Sequence, residues 1–175
     1  LNIMKKGLAI AGIFALSITS TASFAGHREV SPGQIKVGAN LEHANLKGAD
    51  LSGRMIYSAD WDDANLTNAN LQGADLRVTS WWRANLTNAN LTNADLKGAN
   101  MYKANLTNAN LQGVNLLDTN LIGGVLRGAN LKGATIKGLA LRGADLNGIK
   151  ATNLKGCPLS LPGGWVCENN SLFKR

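Results

Sequence analysis

The chain has 175 residues, with 18 Lys and Arg against 11 Asp and Glu for a net charge of +7, which excludes a strongly negative surface overall. Only 5% of the residues are aromatic and 3 are Pro, which suits a regular fold around a core of small aliphatic side chains. A phosphate-binding Gly loop, a nucleophile elbow and a His-rich metal motif are all missing from the sequence, so an enzyme is not expected, and neither is a cofactor or a metal.

Residues 1–25 read as a signal peptide. Lys5 and Lys6 form a basic start, Gly7 to Ile18 an apolar stretch, and Thr19 to Ala25 a small, polar end with Ser23 and Ala25 at the cleavage positions. Leu1 to Ile3 precede Met4, the expected start, and cleavage is expected after Ala25. The apolar stretch is about 12 residues where a membrane span needs roughly 20, so an anchor is the weaker reading. Cleavage removes two Lys and no acid, lowering the net charge of the mature protein from +7 to +5. The expected location is therefore the periplasm or the outside of the cell. Residues 26–38 form a short lead-in, in which His27 is read as solvated.

From Ala39 to Asn153 the chain repeats every five residues, as in Ala44-Asn45-Leu46-Lys47-Gly48 and Ala109-Asn110-Leu111-Gln112-Gly113. Taking the large apolar residue as the centre, 22 centres run from 41 to 146 without a frame break. Of these, 17 are Leu and the rest are Ile56, Trp61, Trp81, Met101 and Ile136, while 16 units carry Ala two residues earlier. Five helical steps scatter such centres around a helix, and five strand steps flip each to the opposite face. The backbone must instead turn once per unit and wind as a solenoid whose stacked units bury one narrow core.

Uninterrupted A-(D/N)-L-x-x resembles the pentapeptide-repeat family over about two-thirds of the chain. The resemblance implies an all-β fold, a right-handed quadrilateral β-helix with four units per coil and about six coils. The centre and the Ala then point inward, and residues 20 apart stack in columns. At strand spacing the tube is roughly 27 Å long. Well-understood cytoplasmic members of the family mimic the acidic surface of DNA and bind gyrase, a role that the basic charge and the signal peptide both oppose here.

Stacking by 20 sorts the side chains into walls. One wall has Leu41, Trp61, Trp81, Met101, Leu121 and Leu141 as centres, so Trp61 and Trp81 are expected to stack in the core. The residues after these centres are Glu42, Asp62, Trp82, Tyr102, Ile122 and Arg142, which makes Trp82, Tyr102 and Ile122 an outward apolar stripe with Arg83 and Lys103 beside it. Exposed aromatics with Arg are typical of binding hot spots, and such rings also stack on sugars; the tails folding over the stripe is the plain alternative. Glu42 over Asp62 and His43 over Asp63 suggest at most a calcium site or an acid–base pair, but a convex wall supplies neither a pocket nor a third ligand. A second wall stacks Thr67, Thr87 and Thr107, reminiscent of ice-binding proteins but only three coils long. A third carries the basic column Arg77, Lys97 and Lys137, interrupted by Leu117.

Arg54 and Leu139 occupy Ala positions, and Val114, Thr119 and Gly124 cluster as further departures. Because Arg54 cannot be buried unpaired, a bulge or outward turn is expected near Arg54-Met55-Ile56. Residues 154–175 read as a C-terminal cap. Cys157 and Cys167 flank a turn-rich segment with Pro158, Pro162, Gly163 and Gly164, and in an exported protein they are expected to form a disulfide. The run around Gly156-Cys157-Pro158 and Trp165 resembles the C-terminal segments of some exported members of the family.

The reading that results is an exported scaffold that binds a protein partner in the periplasm or outside the cell through the Trp82/Tyr102 face. The alternative is a module for envelope carbohydrate or polyanion, using the same aromatics with Arg83, Lys103 or the Arg77/Lys97 column. Nucleic-acid recognition has no base-reading element to support it.

Overall fold

The computed structural model describes residues 28–175, so the expected signal segment, its cleavage site and His27 lie outside the described residues. In all the five-residue units but those centred on Ile56 and Leu76, the centre's carbonyl accepts a hydrogen bond from the amide three residues on, as in Ala44 to Leu41 (3.0 Å) and Ala89 to Leu86 (3.0 Å). The residue two after the centre has a positive φ near 60°, which makes each unit a type II turn. That position needs the left-handed conformation, and this is why it is filled mostly by Gly and Asn.

The residue before each centre from 41 to 141 bridges in parallel to the residue 20 further on, along four ladders that start with Asn40↔Asp60, Asn45↔Asn65, Asp50↔Asn70 and Met55↔Asp75. Four ladders make four walls. Backbone amides and carbonyls are satisfied between coils, for example Leu66 to Asn85 at 2.7 Å and Asn85 back to Ala64 at 2.9 Å. Asn suits the bridge position twice over. Its Oδ1 accepts from the amide two residues on (Thr87 to Asn85, 3.1 Å), and its amide reaches the previous coil (Asn90 to Asn70, 3.1 Å). The centres and the Ala positions form one continuous buried core.

The bulge expected at Arg54 does not form. Met55 bridges Asp75 in register, Ile56 is fully buried, and the Asp75 amide bonds the Arg54 carbonyl at 2.9 Å. The position 20 earlier is Gln34, in the 3-10 turn Pro32–Gln34 rather than in a repeat unit. The half-buried side chain lies at the N-terminal end of the tube, where Nη1 donates to the Ile35 carbonyl at 3.4 Å. Of the other departures, Val114, Thr119 and Leu139 are buried in the core, and the Thr119 hydroxyl is satisfied by the Leu96 carbonyl at 2.8 Å.

Val78 is an unfavourable turn residue, β-branched at φ 56° and 68% exposed. Since Asn adopts this conformation at little cost, Val78→Asn is expected to stabilise the protein by about 1 kcal/mol, raising the thermal midpoint by roughly 2–4 °C. A midpoint that stays or falls would show that the Val78 side chain contributes more than its strain costs.

The ladders continue past residue 153, through Thr135↔Lys155 and Ala140↔Ser160, before the chain forms an antiparallel hairpin of β1 (Trp165–Glu168) and β2 (Ser171–Lys174). The hairpin closes the C-terminal end. The Leu172 amide bonds Ala151 (3.0 Å), the Asn170 carbonyl accepts from Leu154 (2.8 Å), and Leu161, Trp165 and Cys167 pack on the core. Cys157 and Cys167 are joined by a disulfide. At the other end Val30 and Ile35 are buried, and Arg28 bridges Ala44.

Candidate interaction surface

Trp61 and Trp81 fill the core of one wall, both fully buried, with centroids 4.7 Å apart and planes within 1°. The coil spacing sets these rings parallel, one coil above the other, within the centroid range of stacked aromatic pairs. The Trp81 indole N–H donates to the Thr79 hydroxyl at 2.7 Å, and that hydroxyl in turn donates to the Leu76 carbonyl. Thr79 sits in an Ala position, and the repeat pattern gave no sign of its role. Trp61 has Ala59 there instead, and its N–H finds no partner among the described residues.

Directly outside lie the residues of the expected stripe. Trp82 is 37% exposed, while Tyr102 and Ile122 are half-buried in the same column. The C-terminal segment packs on the end of the tube rather than over this wall. Arg83 places its guanidinium 3.7 Å from the Trp82 ring centroid and is held there by Asp63 through two bonds, Nε to Oδ1 at 2.9 Å and Nη2 to Oδ2 at 2.7 Å. The hydrogen bond that Arg83 donates to Asp63 also raises the Arg83 pKa. Lys103 lies 5.3 Å from the Tyr102 centroid. Asp62 fixes the backbone beneath, its Oδ1 accepting from the Trp82 amide (2.7 Å) and the Ser80 hydroxyl (2.5 Å). Of the carboxylates that suggested a cation site, Asp63 is thus committed to Arg83 and Asp62 to the Trp82 amide and the Ser80 hydroxyl, while His43 contacts Glu42 at 3.3 Å. No cluster of three or more metal-ligating side chains occurs among the described residues.

The other walls are also partly self-satisfied. Each Thr hydroxyl of the second wall donates to the Asn two residues before it, Thr67 to Asn65 at 2.7 Å and Thr87 and Thr107 to Asn85 and Asn105 at 2.6 Å. On the third wall Arg77 grips Asp75 in a bidentate pair (2.8 and 2.7 Å), which holds the Asp75 carboxyl below its usual range. The strip therefore keeps Lys97 and Lys137 as cations with no ion pair among the described residues. Beside them is a shallow groove of about 520 Å³ lined by Tyr57, Arg77, Val78, Lys97, Gly98 and Asp118. The aromatic Tyr57 was not singled out in the sequence, although the same step of 20 places it in the column of Arg77.

The repeats match the family of pentapeptide repeats in eight copies, over residues 37–53, 58–80, 83–118 and 109–148. The chain belongs to the pentapeptide-repeat family. Its members fold as right-handed quadrilateral β-helices, in accord with the four ladders. Among solved structures, the chain is similar to a pentapeptide repeat protein from Nostoc Pcc 7120, at 33% identity over 66% of this chain and 84% of that one, with a TM-score of 0.35. It is also similar to Rfr23 from the cyanobacterium Cyanothece 51142, at 30% identity over 72% and 88%, with a TM-score of 0.25. QnrB1, a plasmid-mediated fluoroquinolone resistance protein, is 18% identical over 73% of this chain and 86% of that one, with a TM-score of 0.42. No curated protein matches the chain.

Proposed function

We propose that the mature protein is an exported, non-enzymatic pentapeptide-repeat scaffold that binds a protein partner through the wall bearing Trp82, Tyr102 and Ile122, framed by Arg83 and Lys103. The observation that carries this reading is the Asp63–Arg83–Trp82 stack. An aromatic and an Arg already fixed by a bidentate ion pair lose little freedom on binding, and these two residue types dominate interface hot spots. The same stack weighs against the carbohydrate reading, because a guanidinium occupies a ring face that a sugar would use. The disulfide supports export, since such bonds persist in oxidising compartments. A net charge of +5 supports a partner other than one that reads an acidic DNA-like surface.

Pull-downs from envelope and secreted fractions, with the mature protein beside a folded Trp82→Ala/Tyr102→Ala variant, test this reading. A partner is expected with the first bait and not the second, with affinity reduced about 30-fold or more, as for hot-spot residues of 2 kcal/mol. Equal recovery by both baits, or recovery by neither, counts against the stripe. Anionic glycan bound with a steep dependence on salt would instead favour the polyanion reading through Lys97 and Lys137.

A further inference from the structure

The outward column of the Trp82 wall is polarised along the tube. It begins with Glu42 and Asp62, passes through Trp82, Tyr102 and Ile122, and ends with Arg142. The acidic and basic ends are five coils apart, about 24 Å at strand spacing. Trp82 and Tyr102 flank the midpoint. Glu42 and Arg142 therefore sit symmetrically about an aromatic centre, while Asp62, which already accepts from the Trp82 amide and the Ser80 hydroxyl, has Ile122 as its symmetric counterpart.

Resting on the reading of this wall as a protein-binding face, we propose that one partner is a second copy of the chain, docked wall to wall with the two tubes antiparallel. A two-fold axis in the plane of the interface and across the tubes keeps each column in place and inverts its height. Glu42 then meets Arg142 of the second copy at both ends, and Trp82 meets Tyr102 at the centre. Lys103 faces the neighbouring Arg83, whose charge Asp63 already balances at 2.7 Å. A parallel arrangement instead sets Glu42 against Glu42 and Arg142 against Arg142, so charge selects the antiparallel one. The dimer is expected to depend on concentration.

Sedimentation equilibrium of the mature protein at low salt, across roughly 1–200 µM, tests the proposal. A monomer–dimer equilibrium is expected. Glu42→Arg and Arg142→Glu, each checked for native circular dichroism, should each weaken it about tenfold or more, because both set like charges opposite. An equimolar mixture of the two variants should dimerise again, since each charge then meets its opposite. Trp82→Ala/Tyr102→Ala should abolish the dimer. A monomer throughout the range overturns the proposal, as does a dimer insensitive to these changes or a mixture that fails to recover. A partner still lost from the pull-down with the aromatic variant would then leave the broader reading of the wall standing, whereas loss of both results removes it.

Discussion

Trp81→Ala is expected to destabilise the protein by about 3–5 kcal/mol, while Trp82→Ala, one residue away, should cost less than about 1 kcal/mol. Trp81 is fully buried and stacked 4.7 Å from Trp61, with its N–H on the Thr79 hydroxyl, so truncation removes packing and leaves a buried hydroxyl short of a partner. The walls cannot collapse into the void, because ladders on every side fix the spacing of successive coils. In a quasi-one-dimensional fold the loss falls on one interface between coils and weakens the coupling of the two halves. Thermal and urea denaturation followed by circular dichroism should show a midpoint lower by roughly 10 °C for Trp81→Ala, with a broader transition. Trp82, at 37% exposure, loses mainly its stack with Arg83. Equal losses for the two variants would contradict the inward and outward assignment of the wall.

That assignment shows what a period of five makes legible. A step of five with one turn per unit decides which side chains point inward, and a step of 20 decides which of them share a column. Neighbours such as Trp81 and Trp82 can therefore be told apart without coordinates. The rule is blind to contacts that leave the column. Arg77 turns to Asp75, two residues away around a corner, rather than standing as part of a basic strip. Thr79 looks like an imperfect Ala until the indole that it accepts from is placed beside it. Arg54 breaks the small-residue rule, yet it leaves the register intact because it sits at the N-terminal end of the tube, where its side chain reaches the Ile35 carbonyl. The stripe's column followed from the period, but the hold of Asp63 and Arg83 on Trp82 depends on rotamers that a repeat pattern does not encode.

Reduction of Cys157–Cys167, or Cys157→Ser with Cys167→Ser, is expected to lower stability by about 2–3 kcal/mol and to change how the protein associates. The bond closes a loop with a sequence separation of 10, which limits the entropy of the unfolded chain. Its position adds a second consequence. Cys167 lies in β1, whose partner strand β2 covers the last turns of the tube through the Leu172 to Ala151 hydrogen bond and the burial of Leu172. A loosened hairpin uncovers Ala151 and Leu154 together with unpaired strand edges, a surface that favours end-to-end stacking. Reduced protein should therefore melt several degrees lower and form species larger than a dimer as concentration rises. These species should be indifferent to Glu42→Arg and Arg142→Glu, which separates end stacking from the lateral contact of the Trp82 wall. A reduced protein with an unchanged midpoint and no new association would show that packing of Leu161, Trp165 and Leu172 alone holds the cap.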